Sequence, residues 1–241
     1  WFSMDGPLSR IIANGREGNC GFTLQQAVEA VVAYMQVFHS VHPAVRLGLI
    51  TNFPNWHYGS IPSYWSTDYG DFQVAFETLL AAVDAAGEKL WFVHADNPYD
   101  FATGQQPSDT LSDPTHVDWI QRILDLEAQV RSHGLRFGLI YNSEMGADAS
   151  DQRYLEDTLA YIKLYRQRGG DPDEAIIESW YDRPSAILPE SQPFTFMYTA
   201  RAALELLQRS YAEGDDVGER ASTRGARAEC RTRGRSRQPG D

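Results

Sequence analysis

"LRFGLIYNSEMG", Leu135–Gly146, is an apolar run that ends in an amide, a hydroxyl and a carboxylate. Six of its first seven residues suit the inside of a sheet, and they follow one another instead of alternating with polar ones. That pattern predicts a strand covered on both faces. Asn142, Ser143 and Glu144 then sit at its C-terminal end. A strand running out into solvent accounts for them in one way. A catalytic group mounted on the rim of a barrel accounts for them in another.

Four similar runs occur, at Trp1–Met4, Val45–Thr51, Lys89–Ala95 and Glu174–Ser179. Amphipathic segments fill the intervals. Thr23 and Gln26 form a candidate capping box ahead of Leu24, Ala27, Val28, Val31, Val32, Met35 and Phe38 at helical spacing. A second helix is expected from about Asp71 to Gly87. A third opens at Asp113-Pro114 and ends at Gly134, a fourth runs from about Ser150 to Arg168, and a fifth from about Phe194 to Tyr211.

Strands that alternate with helices indicate a parallel α/β fold. A doubly wound sheet would usually carry a Gly-rich phosphate loop after a strand, and the sequence shows none. The strand-to-helix loops are long and rich in aromatics and acids, whereas helix-to-strand loops such as "SHG" and "AAGE" are short. That asymmetry favours a (β/α)8, TIM-type barrel with its chemistry on the long loops. Five units do not close eight strands, so the expectation is a partial barrel over residues 1–214, with N-terminal units missing before Trp1.

Composition narrows the function. The 241 residues are 42% hydrophobic and carry a net charge of −12. No apolar run of membrane-spanning length is present, so no membrane partner is expected. The acidic balance argues against nucleic acid as a partner. Residues 1–219 hold 14 Lys and Arg against 31 Asp and Glu, a net of −17, whereas residues 220–241 hold seven Arg against two acids, a net of +5. The segment 215–241 therefore reads as a disordered Arg-rich tail. Cys20 and Cys230 make no disulfide framework. Neither compartment nor oligomeric state is legible.

Each strand end offers polar groups: Asp5, then Thr51 and Asn52, then His94, Asp96 and Asn97, then Asn142 and Glu144, then Glu178. One such residue is usually a turn former or cap. In a barrel, five of them converge on one mouth. The loop "NFPNWHYGSIPSYWSTDYG" places Phe53, Trp56, Tyr58, Tyr64, Trp65 and Tyr69 within 17 residues. They are readable as a small core of the loop or as a platform for sugar rings, since aromatic faces contact C–H surfaces while Tyr and Trp still donate hydrogen bonds. Trp180 and Tyr181 would join the same rim. Carboxylates with aromatics suit glycoside hydrolysis, in which one carboxyl protonates the leaving oxygen and another attacks or activates water.

The series "SMDGP", "LITNFP", "FVHADNP", "FGLIYNSE", "IIESW" and "PSAILPESQPFTF" resembles the C-terminal five units of a clan A-like (β/α)8-barrel glycoside hydrolase. The resemblance spans residues 1–211 in architecture. It implies an acid/base at the end of strand four, a nucleophile at the end of strand seven and a Trp flooring the subsite after strand eight. Counted back from the last unit, these fall on Asp5, Glu144 and Trp180. Such families usually carry Asn-Glu where this chain has Met4-Asp5-Gly6, so Asp96 and Glu178 stand as alternatives. Asn52, Trp56, Tyr58, Trp65, Asn142, Trp180 and Tyr181 are the expected sugar contacts, and no cofactor or metal is expected. Two rival readings exist. One is a metal-dependent hydrolase using His94 and Asp96, with His57 and His116 completing the site. The other is a non-catalytic carbohydrate-binding barrel. Asp148 and Asp151 read as caps of the following helix.

Overall fold

A computed structural model describes residues 1–12, 20–66 and 68–208. The Arg-rich tail and Cys230 lie outside the described residues. The elements run β1 (Phe2–Asp5), α1 (Leu24–Val41), β2 (Leu47–Asn52), α2 (Phe72–Ala85), β3 (Leu90–Asp96), α3 (Tyr99–Ala102), α4 (Trp119–Ser132), β4 (Arg136–Tyr141), α5 (Glu144–Ala149), α6 (Asp151–Gln167) and β5 (Glu174–Ile177). A last helical stretch covers 196–208.

Local chemistry explains most boundaries. Thr23 and Gln26 make the reciprocal capping box of α1. Asp71 caps α2, accepting from the Gln73 N–H. The third helix differs from expectation. Asp113-Pro114 opens only a 3-10 turn, Pro114–His116, and α4 starts later behind its own cap, Asp118. Two caps in succession explain the difference: each Asp satisfies free N–H groups, so the chain starts a turn twice. The short α5 was not expected from periodicity. Ser150, rather than Asp148 or Asp151, caps α6.

All five strands are parallel and lie in sequence order, β1-β2-β3-β4-β5. The architecture is thus α/β with alternating βα units, compatible with part of a barrel. Register fixes which residues share a face, because strand side chains alternate. Asp5, Ile50, His94, Gly138 and Glu174 form one row, and Asn52, Asp96, Ile140 and Ile176 the next. The opposite face carries Met4, Leu49, Val93, Ala95, Leu139 and Tyr141. These join Val28, Val31, Leu79, Ile123 and Ile162 from the helices in one buried cluster. The rows with Asp5 and Asp96 contribute nothing to that cluster. The helices therefore cover one face, and the polar rows occupy the other.

The uncovered face is filled by alternation of large and small. Phe92 and His94 on β3 lie over Gly48 on β2 and Gly138 on β4. A Cβ at either glycine would come within 2.4 Å of the ring.

Candidate functional site

Parallel pairing brings all five strand ends to one edge of the uncovered face. There the last residues facing that side are Asp5, Asn52, Asp96 and Asn142, with Glu178 just beyond β5. Asp5, Asn52, Asp96, Trp180 and Tyr181 line a cleft of about 260 Å³, joined by Gly6, Ser9, Arg10, Asn55 and Tyr69. A second, more apolar cleft of about 670 Å³ continues along the same face, lined by Ile50, His94, Ile140 and Ile176 and reached by Glu178 and Tyr181.

The acids in this cleft differ in their surroundings. Asp5 is exposed, and its carboxylate takes the Arg10 guanidinium at 2.6 Å. Asp96 is pushed up to about 7, first by loss of hydration and then by the charge of Glu178. A hydrogen bond from Asn142 opposes the rise, while Asp5 and Glu144 add to it. That bond runs from Asn142 Nδ2 to Asp96 Oδ1 at 3.4 Å. Burial, then Asp5, raises Glu178 as well. Tyr181 is raised by burial and by the Glu144 carboxylate that it faces.

Backbone anchors hold the rim. The Tyr154 hydroxyl donates to the Glu178 carbonyl at 2.6 Å, and Tyr161 donates to the Asn97 carbonyl at 2.8 Å. Glu144 is the first residue of α5, and its N–H donates to Asp100 Oδ1 at 2.8 Å. Ser143 Oγ donates toward Asp100 and Asp157, at 3.1 and 2.9 Å, and itself accepts from the Gly146 N–H. Burial pushes Asp100 up to about 6. Sequence reasoning passed over Asp100, Asn55, Ser9 and Arg10. In "NPYDFA" an acid near a helix start reads as an ordinary cap, and only the fold shows that it reaches Glu144.

The structure brings together Asp5, Asn52, Asp96, Asn142, Glu178, Trp180 and Tyr181, with Glu144 beside Tyr181. It does not add Trp56, Tyr58 or Trp65. Trp56 is only 2% exposed and packs on Tyr69 and Phe72. Tyr58 is buried with its hydroxyl on Gln129 at 3.0 Å. Trp65 packs on Tyr64 and Phe101 in a separate cluster. Trp56 and Tyr58 are thus core of the loop and not a platform, half-buried Trp65 packs outside the cleft, and of the loop's rings Tyr69 lines it. Arg122 organises that core. It donates to the carbonyls of Phe53 and Trp56 and stacks 3.9 Å from the Phe53 ring centroid. Of the expected stacking residues, Trp180 is exposed and lines the cleft.

The histidines of the metal reading have separate partners. His94 Nε2 meets Glu174 at 2.6 Å, His57 Nδ1 meets Asp68 at 2.7 Å, and His116 meets the Asp113 carbonyl. Among the described residues, no three His, Cys, Asp or Glu side chains are grouped to hold a metal ion. No described helix is long and apolar enough to cross a membrane. Compared with protein-family models, curated proteins and solved structures, the chain matches none.

Proposed function

We propose that the chain is the catalytic part of a glycoside hydrolase, its sheet one portion of a (β/α)8 barrel, acting on a carbohydrate. The observation that carries this reading is the Asp96 carboxyl. It sits in a carboxylate-lined cleft and is held near neutrality, pushed up to about 7. An acid of that strength donates a proton at ordinary pH, which is what a leaving glycosidic oxygen needs.

Glu144 serves as nucleophile or general base, oriented by Asp100 below and Tyr181 opposite. Asp96 takes the acid's role in preference to Asp5, whose exposed carboxylate is already engaged by the Arg10 guanidinium at 2.6 Å. Burial, and after it the like charge of Glu178, keeps Asp96 protonated. Asn52 and Asn142 hydrogen-bond ring hydroxyls, and Trp180 offers an apolar face to the ring.

The experiment is a screen with aryl glycosides and unmodified oligosaccharides, followed by variants. Glu144→Gln should lower turnover by roughly 10³-fold or more, since it removes the attacking charge and keeps the shape. Asp96→Asn should slow unactivated substrates by about 10²–10⁴-fold and spare activated aryl glycosides, which need little protonation. Activity in Glu144→Gln close to that of the parent would remove Glu144 from the mechanism. Sugar binding without turnover of any substrate would favour the non-catalytic carbohydrate-binding barrel.

A further inference from the structure

Gly6 and Ser9 line the smaller cleft and also wall a small cavity beside it. The rest of the cavity wall is Pro7 and Leu8 of the same turn, the end of β2 with Thr51, and Trp56 and Phe72. Its space for the centre of a water-sized sphere is about 10 Å³. That is close to the least that one water molecule needs.

Two buried polar groups belong to this wall. Thr51 is 3% exposed and Trp56 is 2% exposed. Neither Thr51 Oγ1 nor Trp56 Nε1 has a hydrogen-bond partner among the described residues. A buried donor or acceptor left bare keeps its full desolvation cost, so such groups are satisfied in nearly every folded protein. The turn supplies a third group. The Ser9 hydroxyl donates to the Gly6 carbonyl at 3.2 Å and keeps its own lone pairs to accept with.

The donor and acceptor pattern selects the occupant. An indole N–H only donates, so whatever fills the cavity must accept from Trp56. A metal or ammonium ion has no lone pair to offer. An anion would be stripped of water beside Pro7, Leu8 and Phe72 with no cation on the cavity wall. Water accepts and donates at once, and it fits the volume.

We propose that one ordered water molecule occupies this cavity, accepting from Trp56 Nε1–H and bonding Thr51 Oγ1, with Ser9 Oγ as a further partner. This water site goes beyond the glycosidase reading and stands whether or not the cleft cleaves sugars. It joins two parts of the cleft wall. One is the turn with Gly6, Ser9 and Arg10, and the other is the β2 end and loop with Asn52 and Asn55.

The test uses the intact chain, with water itself as the probe. A crystal structure should show one peak of density within about 3.2 Å of both Trp56 Nε1 and Thr51 Oγ1. In solution, the Trp56 indole N–H should show a nuclear Overhauser effect to water, with the sign of a molecule that tumbles with the protein. Thr51→Val keeps nearly the same shape and removes the hydroxyl, so the water's occupancy should fall by half or more. Thr51→Ser keeps the hydroxyl and should keep the water. A cavity without density, density bonded to only one of the two groups, or a direct Trp56–Thr51 hydrogen bond would overturn the proposal. So would a water that stays at full occupancy in Thr51→Val, because Thr51 would then not hold it. Should Thr51→Val fail to fold, the parent and Thr51→Ser structures decide the matter by themselves, and loss of the water from Thr51→Ser would count against it.

Discussion

At the scale of single residues, the chemistry turns on how unlike surroundings separate like acids. Asp5 and Asp96 lie on neighbouring rows of one face, yet only Asp96 loses its water without gaining a cation. Its pKa of about 7 in the folded chain lies above its ordinary value of 3.8. The neutral form is thus the one the fold favours. The stability linked to Asp96 is fully present below its unfolded pKa and is lost as pH rises through about 7. Asp96→Asn removes the ionisation while keeping an oxygen to accept from Asn142. The variant should melt close to the parent at about pH 4 and above it at about pH 8, by roughly 1–3 kcal/mol. Thermal denaturation across that range checks it. A stability difference that does not change with pH would show that Asp96 ionises freely.

The secondary elements were the most legible part of the sequence, and the reason is visible in their faces. The helix-covered face of β2, β3 and β4 is apolar apart from Thr51, and the other face carries Ile50, Phe92 and Ile140 with glycines between, so few polar positions interrupt the runs and these strands announce themselves. Caps such as Thr23 and Asp71 fix helix starts because each meets a specific free N–H. Asp113-Pro114 misled because a cap-then-Pro signal is local, and nothing local says that the turn stops after three residues. The strand-end acids were legible for the same period-two reason that places them on one face. The aromatic loop was not. Whether Trp56 shows its face to solvent depends on how the loop folds back to lay Tyr69 and Phe72 on its ring, and Arg122 from α4, distant in sequence, holds its backbone carbonyl. Periodicity also does not reveal the fit between neighbouring strands, where glycines on β2 and β4 make room for rings on β3. A methyl at position 138 would lie 2.4 Å from the His94 ring, and one at 48 the same distance from Phe92. Gly138→Ala should therefore cost about 1–3 kcal/mol by overpacking. Coupling it to His94→Ala should recover much of that loss in a double-mutant cycle. Additive losses from urea denaturation would mean that the two positions do not meet.

Across the whole molecule, the sheet is singly wound: one face under helices, the other carrying the cleft, with β1 and β5 as its edges among the described residues. That arrangement makes a prediction at single-amide resolution. Phe2 N–H donates to the Arg46 carbonyl at 2.9 Å, and Gly6 N–H donates to the Ile50 carbonyl at 3.0 Å. Successive amides of a strand point to opposite sides, so those of Ser3 and Asp5 point away from β2 toward the open edge. The strands β2, β3 and β4 each have a partner on both sides. Hydrogen exchange should therefore be slowest in β3 and β4, where opening requires global unfolding. Along β1 it should alternate, with Met4 protected and Ser3 and Asp5 exchanging near the rate of an unstructured chain. Protection of Ser3 and Asp5 equal to that of β3 would mean that another strand pairs with β1. The same measurement on a longer chain with preceding βα units should then show those two amides becoming slow. A barrel that closes needs a partner for β1 at those two positions. If they stay fast in the longer chain, the sheet remains open at β1, and the site must work from an open sheet.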